Sequence, residues 1–478
     1  MFRYNNPHFW WATGAAVAVL AIAAGPVSAQ TMTDALSAAY TTNPDLLSQR
    51  EALRSTIEGV PQALGNWRPT VSLDLNAARN LNGANSRNTS GGAAADRYQY
   101  RDPHEGTVTI TQPLFRGFRT TAGVDVAEDN VKKGIADLDA KEQATLLAAA
   151  TAYMNVVRDQ ATLQLNINSE QVFARQLQAT RDRFDVGEVT RTDVSQAESA
   201  LAGATAARIT AEGTLESSRA VYRNVIGGDP STLASPVDPT DLPPSLDATI
   251  AAAQTKHPSV ISASYAEQSA LQNVKLVEGE LLPTLNFIGT LDKTLDGASR
   301  LAHDEETMSV TAQAKIDLVV PIYEQGAVYA RARAAKLLAG KARIDLDSIR
   351  ASRVSIANQA WETWRTTRAK IESIKSQIDA AQIALEGVQR EAQVGSRTTL
   401  DILTAEQTVL NAQVSLVSAQ RDEVVAAYQV KEAAGDLTAA KLELPVNVYD
   451  PNQYYHEARD KVIGLGVSKL PTPSKTGE

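Results

Sequence analysis

The chain of 478 residues contains no cysteine. That excludes disulfides, thiolate nucleophiles and cysteine-ligated metals, and with them lipid attachment through an N-terminal cysteine. Aromatic residues are scarce at 5%, and net charge is −9. An acidic chain is a poor partner for nucleic acid. Proline is absent from two long stretches, between Pro113 and Pro230 and between Pro321 and Pro445. Because an interior proline costs a helix about 3 kcal/mol, such stretches are where very long helices can form. Beyond the first residues, no run is apolar and long enough for a transmembrane helix. If the chain enters a membrane, it does so as strands.

What is present begins with a leader. Arg3, the apolar stretch Ala12 to Ala24, and the small residues Val27-Ser28-Ala29 predict a signal peptide over 1–29. Its apolar core of about 13 residues is shorter than the roughly 20 a membrane span needs. Loss of Arg3 takes the net charge from −9 to −10.

The remainder says one thing twice. Val186-Gly187-Glu188-Val189-Thr190-Arg191-Thr192-Asp193 returns as Val394-Gly395-Ser396-Arg397-Thr398-Thr399-Leu400-Asp401, 208 residues on. The period is too long for a solenoid unit. Five of the nineteen prolines fall between Pro230 and Pro244, marking an inter-repeat linker over 230–246. The first repeat then covers 30–229 and the second 247–436, with 437–478 forming a C-terminal segment and a disordered tail. On each side of the Val-Gly turns, apolar residues recur at 3–4 spacing. Ala357, Ala360, Trp364, Ile371, Ile374, Ile378, Leu385, Val388 and Ala392 illustrate it, as do Leu146, Ala149, Tyr153 and Val156. This predicts coiled-coil helices over about 119–185, 192–226, 327–393 and 400–434. The last carries two seams, one through Ile402, Val409 and Ala419 and one through Leu403, Val424 and Tyr428, so it has a neighbour on each side. Gly187 and Gly395 suit left-handed helix C-termini, and Thr192-Asp193 is the expected cap of the next helix.

Ahead of each hairpin lies a pair of alternating segments, predicted as strands over about 69–77 and 107–114, then 284–292 and 308–320. Val71, Leu73 and Leu75 alternate with Ser72, Asp74 and Asn76, and Val310, Ala312, Ile316 and Leu318 with Thr311, Gln313 and Asp317. One apolar and one polar face suits a membrane barrel, although a half-buried soluble sheet has the same pattern. The segments Ala77 to Gly106 and Lys293 to Glu306 are expected as long polar loops at one end. Four strands cannot close a barrel, and lipid does not tolerate open edges. Copies of the chain must therefore share one barrel, in a number the strand count leaves open.

The order of these signals resembles the TolC family of outer-membrane channels over essentially the whole mature chain. Carrying the resemblance are Asn43-Pro44 and His257-Pro258, Pro69 and Pro283 before the strands, the corners Gln112-Pro113-Leu114-Phe115-Arg116-Gly117 and Val320-Pro321-Ile322-Tyr323-Glu324-Gln325-Gly326, and the Val-Gly turns. The implied fold is mainly α with a membrane β part: a homotrimer with a 12-stranded barrel and a 12-helix periplasmic tunnel. The implied function is the passive exit duct of a tripartite export machine, for multidrug efflux or type I protein secretion, in the outer membrane of a Gram-negative bacterium. Its implied partners are a periplasmic adaptor, an inner-membrane ABC or proton-driven transporter, and outer-membrane lipid. Neither a cofactor nor an enzymatic activity is implied. The alternative is a trimeric coiled-coil adhesin or periplasmic scaffold, which has no need of a second strand set.

The resemblance also assigns roles. Arg397 would tie its hairpin to Thr192 and Asp193 of the neighbouring one as a periplasmic gate. Asp401 would line the constriction and favour cations. Val186, Gly187, Val394 and Gly395 would be adaptor-docking tips. Ala392 and Thr404 depart from the family's tyrosine and second aspartate, which implies a weaker lock. The bland reading is that Asp193 and Asp401 cap helices and Arg397 is a solvated charge. Phe115, Phe118 and Tyr323 are expected at the membrane interface or in packing. The five histidines share no metal-ligand spacing. Arg350, Arg353, Arg365 and Arg368 are expected on a solvated helix face.

Overall fold

The computed structural model describes residues 29–86, 95–230, 232–234, 241–297 and 307–469. The predicted leader (to residue 28) and the end of the tail lie outside these residues.

Three short helices open the chain: α1 (Met32–Thr42), α2 (Pro44–Ile57) and α3 (Gly59–Gly65). The strands β1 (Thr70–Ala77), β2 (Asn80–Ser86) and β3 (Ala95–Arg116) lead into the long helix α4 (Arg119–Asp185) and its return α5 (Arg191–Ile226). The second half follows the same plan, with α6 (Leu246–Thr255), α7 (Pro258–Glu278), β4 (Thr284–Gly297), β5 (Thr307–Val319), α8 (Ala327–Gln393) and α9 (Thr399–Ala434). A last short helix, α10 (Pro451–Arg459), ends the described part. The duplication is exact in length, α4 and α8 having 67 residues and α5 and α9 having 36. At 1.5 Å per residue, 67 residues reach about 100 Å.

The sheet is antiparallel in the order β1-β3-β4-β5, with β2 also paired to β3. Here the expectation of a loop over 77–106 is corrected. β2 and the first half of β3 form a ladder from Asn80↔Arg101 to Ser86↔Ala95, extending the hairpin well past the alternating segment. The sequence here lacks the regular apolar–polar alternation of the flanking strands but keeps adjacent backbones able to pair, so the hairpin continues where the alternation stops.

Register sorts the side chains by face. The row Leu73↔Val108↔Leu291↔Ala312 is apolar, and so are Val71↔Ile110 and Phe287↔Ile316 on the same face. The alternate row Ser72↔Thr109↔Thr290↔Gln313 is wholly polar. Val71, Leu73, Ile316 and Leu318 are all more than 60% exposed in the single chain. None of the described helices is long and apolar enough to cross a membrane.

At the sheet–helix corner, β3 is bulged between Pro113 and Phe115. Gly117, at φ 61°, then passes so close to Gly279 that a Cβ on either would sit 2.3 Å from the other's carbonyl oxygen. Only glycine permits that approach. Phe115 and Phe118 meet edge-to-face at 5.2 Å, and Phe118 and Tyr323 are largely exposed.

The main core lies around the middle of the long helices, where α1 and α2 pack on α4 through Leu36, Tyr40, Leu46, Leu53, Leu146 and Tyr153. Leu437, Leu444 and Tyr454 of the C-terminal segment join the same cluster. Below it the helices form paired coils: Ile371, Ile374 and Ile378 of α8 meet Ala412 and Ala419 of α9. Both expected seams of α9 are buried, at Ile402, Val409 and Ala419 and at Leu403, Val424 and Tyr428. One of the four arginines expected on a solvated face departs from it. Arg353 is 3.1 Å from Glu432 and 3.1 Å from the buried His257 Nε2. Periodicity missed this because the partners come from α9 and from the cap of α7. Burial works against the charge on Glu432, but His257 and Arg353 hold its pKa below the ordinary value.

Candidate functional site

The long hairpins end in two tips that repeat one backbone construction. At the first, the N–H of Gly187 donates to Phe184 O at 2.9 Å and that of Glu188 to Arg183 O at 2.9 Å. At the second, Gly395 N–H reaches Ala392 O at 3.2 Å and Ser396 N–H reaches Glu391 O at 3.0 Å. These paired bonds satisfy the last carbonyls of α4 and α8 and require a left-handed residue between them. Gly187 and Gly395 supply it at φ 82° and 78°. A Cβ at either would meet nothing within 4 Å, so the requirement is conformational rather than steric. Val186 and Val394, immediately before, are 72% and 81% exposed. An apolar side chain is thus presented to water at the lowest point of each hairpin.

The returning helices start on capping boxes. Thr190 Oγ1 accepts from the Asp193 N–H at 3.4 Å, while Asp193 Oδ2 accepts from Thr190 N–H at 2.8 Å and from its hydroxyl at 2.7 Å. Thr398 and Asp401 repeat the arrangement at 3.3, 2.9 and 2.9 Å. The expectation that Thr192-Asp193 forms the cap is therefore corrected. Thr190 is the N-cap, Asp193 is its third-position partner, and Thr192 lies exposed in the first turn. The T-x-x-D spacing was visible in both repeats and is the signal that finds Thr190 and Thr398. Hydrogen bonds from Thr190 hold the Asp193 carboxyl below its ordinary pKa, and those from Thr398, with Arg397 nearby, do the same for Asp401. Both carboxylates are held in the ionised form. All the cap bonds fall on Oδ2, so the cap does not use Oδ1 of either residue.

The charges around the two tips are inverted. Arg183, in the last turn of α4, pairs with Glu188 at 3.2 Å. The residue 208 positions on is Glu391, and it pairs with Arg397 at 2.8 Å. Arg397 thus bonds within its own hairpin, and within one chain it is not bonded to Thr192 or Asp193. It lies with Asp401 on a groove of about 360 Å³ between α8 and α9, lined also by Val388, Leu400 and Thr404. A second groove of about 950 Å³ opens between the first hairpin and α9, with Phe173, Gly203, Leu403 and Leu410 on its walls. Ala392, in the last turn of α8, is buried.

Comparison with known proteins places these features. The family model described as outer membrane efflux protein matches residues 35–228 and 249–436, so its two matched segments coincide with the two halves of the duplication. The chain is 34% identical over 436 residues to the outer membrane efflux protein BepC of Brucella suis, covering 91% of this chain and 92% of that one. It is 26% identical over 420 residues to the outer membrane protein TolC of Escherichia coli, covering 84% and 81%. Among solved structures, the CmeC outer membrane channel of Campylobacter jejuni superposes with a TM-score of 0.73 over 90% of this chain and 89% of that one, at 15% identity. That last likeness concerns fold.

Proposed function

Because the chain belongs to the outer membrane efflux protein family, we propose that three copies close one twelve-stranded barrel and one twelve-helix tunnel, opened at the hairpin tips by a periplasmic adaptor. As an outer-membrane export channel the chain carries no chemistry of its own, and its energy comes from an inner-membrane transporter with which the adaptor links it. Cargo is selected upstream, so the same duct serves small molecules or a secreted protein. A coiled-coil adhesin is set aside by the family and by the second strand pair.

One observation carries the shared barrel, while the number three follows the family: a four-strand meander, apolar on one face and polar on the other, with β1 and β5 each paired on one side only among the described residues. Such edges are intolerable in lipid unless β5 of one copy pairs with β1 of the next. Single-chain barrels begin at about eight strands, so a sheet of four has to be shared. The test is the mass of the detergent-extracted protein before and after heating. A trimer that migrates as one species until heated is expected, and a monodisperse monomer that stays soluble without detergent overturns the reading.

The tips form the gate in this reading. Arg397 crosses to Asp193 of a neighbouring hairpin, whose Oδ1 is not engaged by its cap, and Asp401 lines the constriction. Exposed pairs of this kind contribute only about 0.2–1 kcal/mol each, which suits a gate released by partner binding. Val186 and Val394, with their glycines, provide the adaptor's apolar footing.

A further inference from the structure

We propose that Glu391 is a positioning residue for the gate: it competes with the neighbouring hairpin for Arg397 and holds the arginine in a retracted, open-favouring position. The inference rests on the gate reading above and adds to it a residue with the opposite sign of effect.

The geometry that supports it is local and built in. Arg397 Nε donates to Glu391 Oε2 at 2.8 Å, with the two side chains 49% and 52% exposed. The backbone of Glu391 is fixed by the tip itself, since its carbonyl accepts from the Ser396 N–H at 3.0 Å and from the Ser396 hydroxyl at 2.9 Å. The carboxylate is thereby carried to the same side of the turn as Arg397. At the first tip the position corresponding to Glu391 is Arg183 and the position corresponding to Arg397 is Val189, so that tip has no arginine at this place in the turn. Both tips tie the end of their long helix to their own turn by an ion pair, in opposite polarity.

A guanidinium presents five N–H donors in a rigid fork, so the bond that Nε makes to Glu391 fixes where the remaining donors point. While Nε and one edge face Glu391, Arg397 is drawn back along its own hairpin. To reach Asp193 on the next, it gives up that bond. Arg397–Glu391 is exposed, and a pair with Asp193 would be of the same Arg–carboxylate type, so each contributes on the scale of an exposed ion pair. The position of Arg397 is thus a near-balanced choice, and removing one acceptor tips it toward the other.

The experiment uses the full-length channel in planar bilayers, recording basal conductance for four variants. Arg397→Ser removes the tie and is expected to raise conductance. Glu391→Gln removes the competitor and is expected to lower it by about 1.4- to fivefold, the range set by one exposed pair. Glu391→Asp is expected to restore a value near wild type. In the Arg397→Ser background, Glu391→Gln is expected to change nothing, because both act through the same guanidinium. Raising ionic strength is expected to shrink the Glu391→Gln effect. Raised conductance in Arg397→Ser together with unchanged or raised conductance in Glu391→Gln overturns the role of Glu391 and leaves the gate standing. Unchanged conductance in Arg397→Ser overturns both. A Glu391→Gln effect that persists in the Arg397→Ser background shows a structural contribution to the tip and also overturns the proposal.

Discussion

At the scale of single residues, Asp401 carries two duties with one carboxylate. Oδ2 closes the capping box with Thr398, and the ionised group faces the groove that also holds Arg397. Its pKa is lowered by the Thr398 bonds, so the charge and the cap are both present at neutral pH. The sign follows from linkage: a depressed carboxyl contributes above its unfolded pKa of about 3.9, and its contribution is lost as pH falls through the lower folded value. In the proposed trimer, repulsion among three copies near one axis would oppose the depression without removing the local cap bonds. Asp401→Ala is expected to abolish most cation preference in reversal-potential measurements, whereas Thr398→Val, which removes cap bonds and keeps the charge, is expected to preserve it. Preference surviving in Asp401→Ala places the filter elsewhere.

At the scale of elements, the turns proposed to dock the adaptor also carry a structural requirement of their own. Gly187 and Gly395 sit at positive φ with open space where a side chain would be. Gly395→Ala therefore meets no clash and costs only the left-handed backbone, about 1–2 kcal/mol. The helix beyond the tip is anchored independently by its own capping box, so the trimer is expected to form and to melt a few degrees lower. Val394→Asp places a charge at the most exposed apolar point of the same turn and is expected to weaken adaptor binding without lowering the melting temperature. Unchanged adaptor affinity in Val394→Asp, measured by pull-down with the cognate adaptor, removes the docking role from this tip. The same scale explains the missed strand. Alternation marks a strand only where one face is selected to be apolar, and the sequence of β2 shows no regular alternation.

At the scale of the whole molecule, the sheet assigns lipid and water by register. Leu291 lies in the apolar row with Leu73 and Val108, and the adjacent Thr290 lies in the polar row with Ser72 and Thr109. Leu291→Arg is expected to cost about 2–4 kcal/mol at the bilayer midplane and to reduce trimer yield in the outer membrane. Thr290→Arg, one residue away but on the lumen side, is expected to assemble normally and to shift ion selectivity. Equal yields for the two would mean that the faces are not lipid and water. The exposure of Val71, Leu73, Ile316 and Leu318 in a single chain has the same origin: an apolar face meant for lipid is bare outside the membrane.

The sequence by itself determined the duplication, the four long helices, the alternating strands and the glycine turns, because each is a periodic or local signal carried by neighbouring residues. The TolC-family resemblance added the expectation of a trimer and of the gate residues. Only the tertiary structure decided that Arg353 leaves the solvated face for Glu432 and His257, that Thr190 rather than Thr192-Asp193 is the cap, and that Glu391 holds Arg397. The first depends on a partner from another helix and the last on a turn that folds the chain back on itself. Contacts of that kind leave no period in the sequence, since they are set by where distant or reversed segments come to rest.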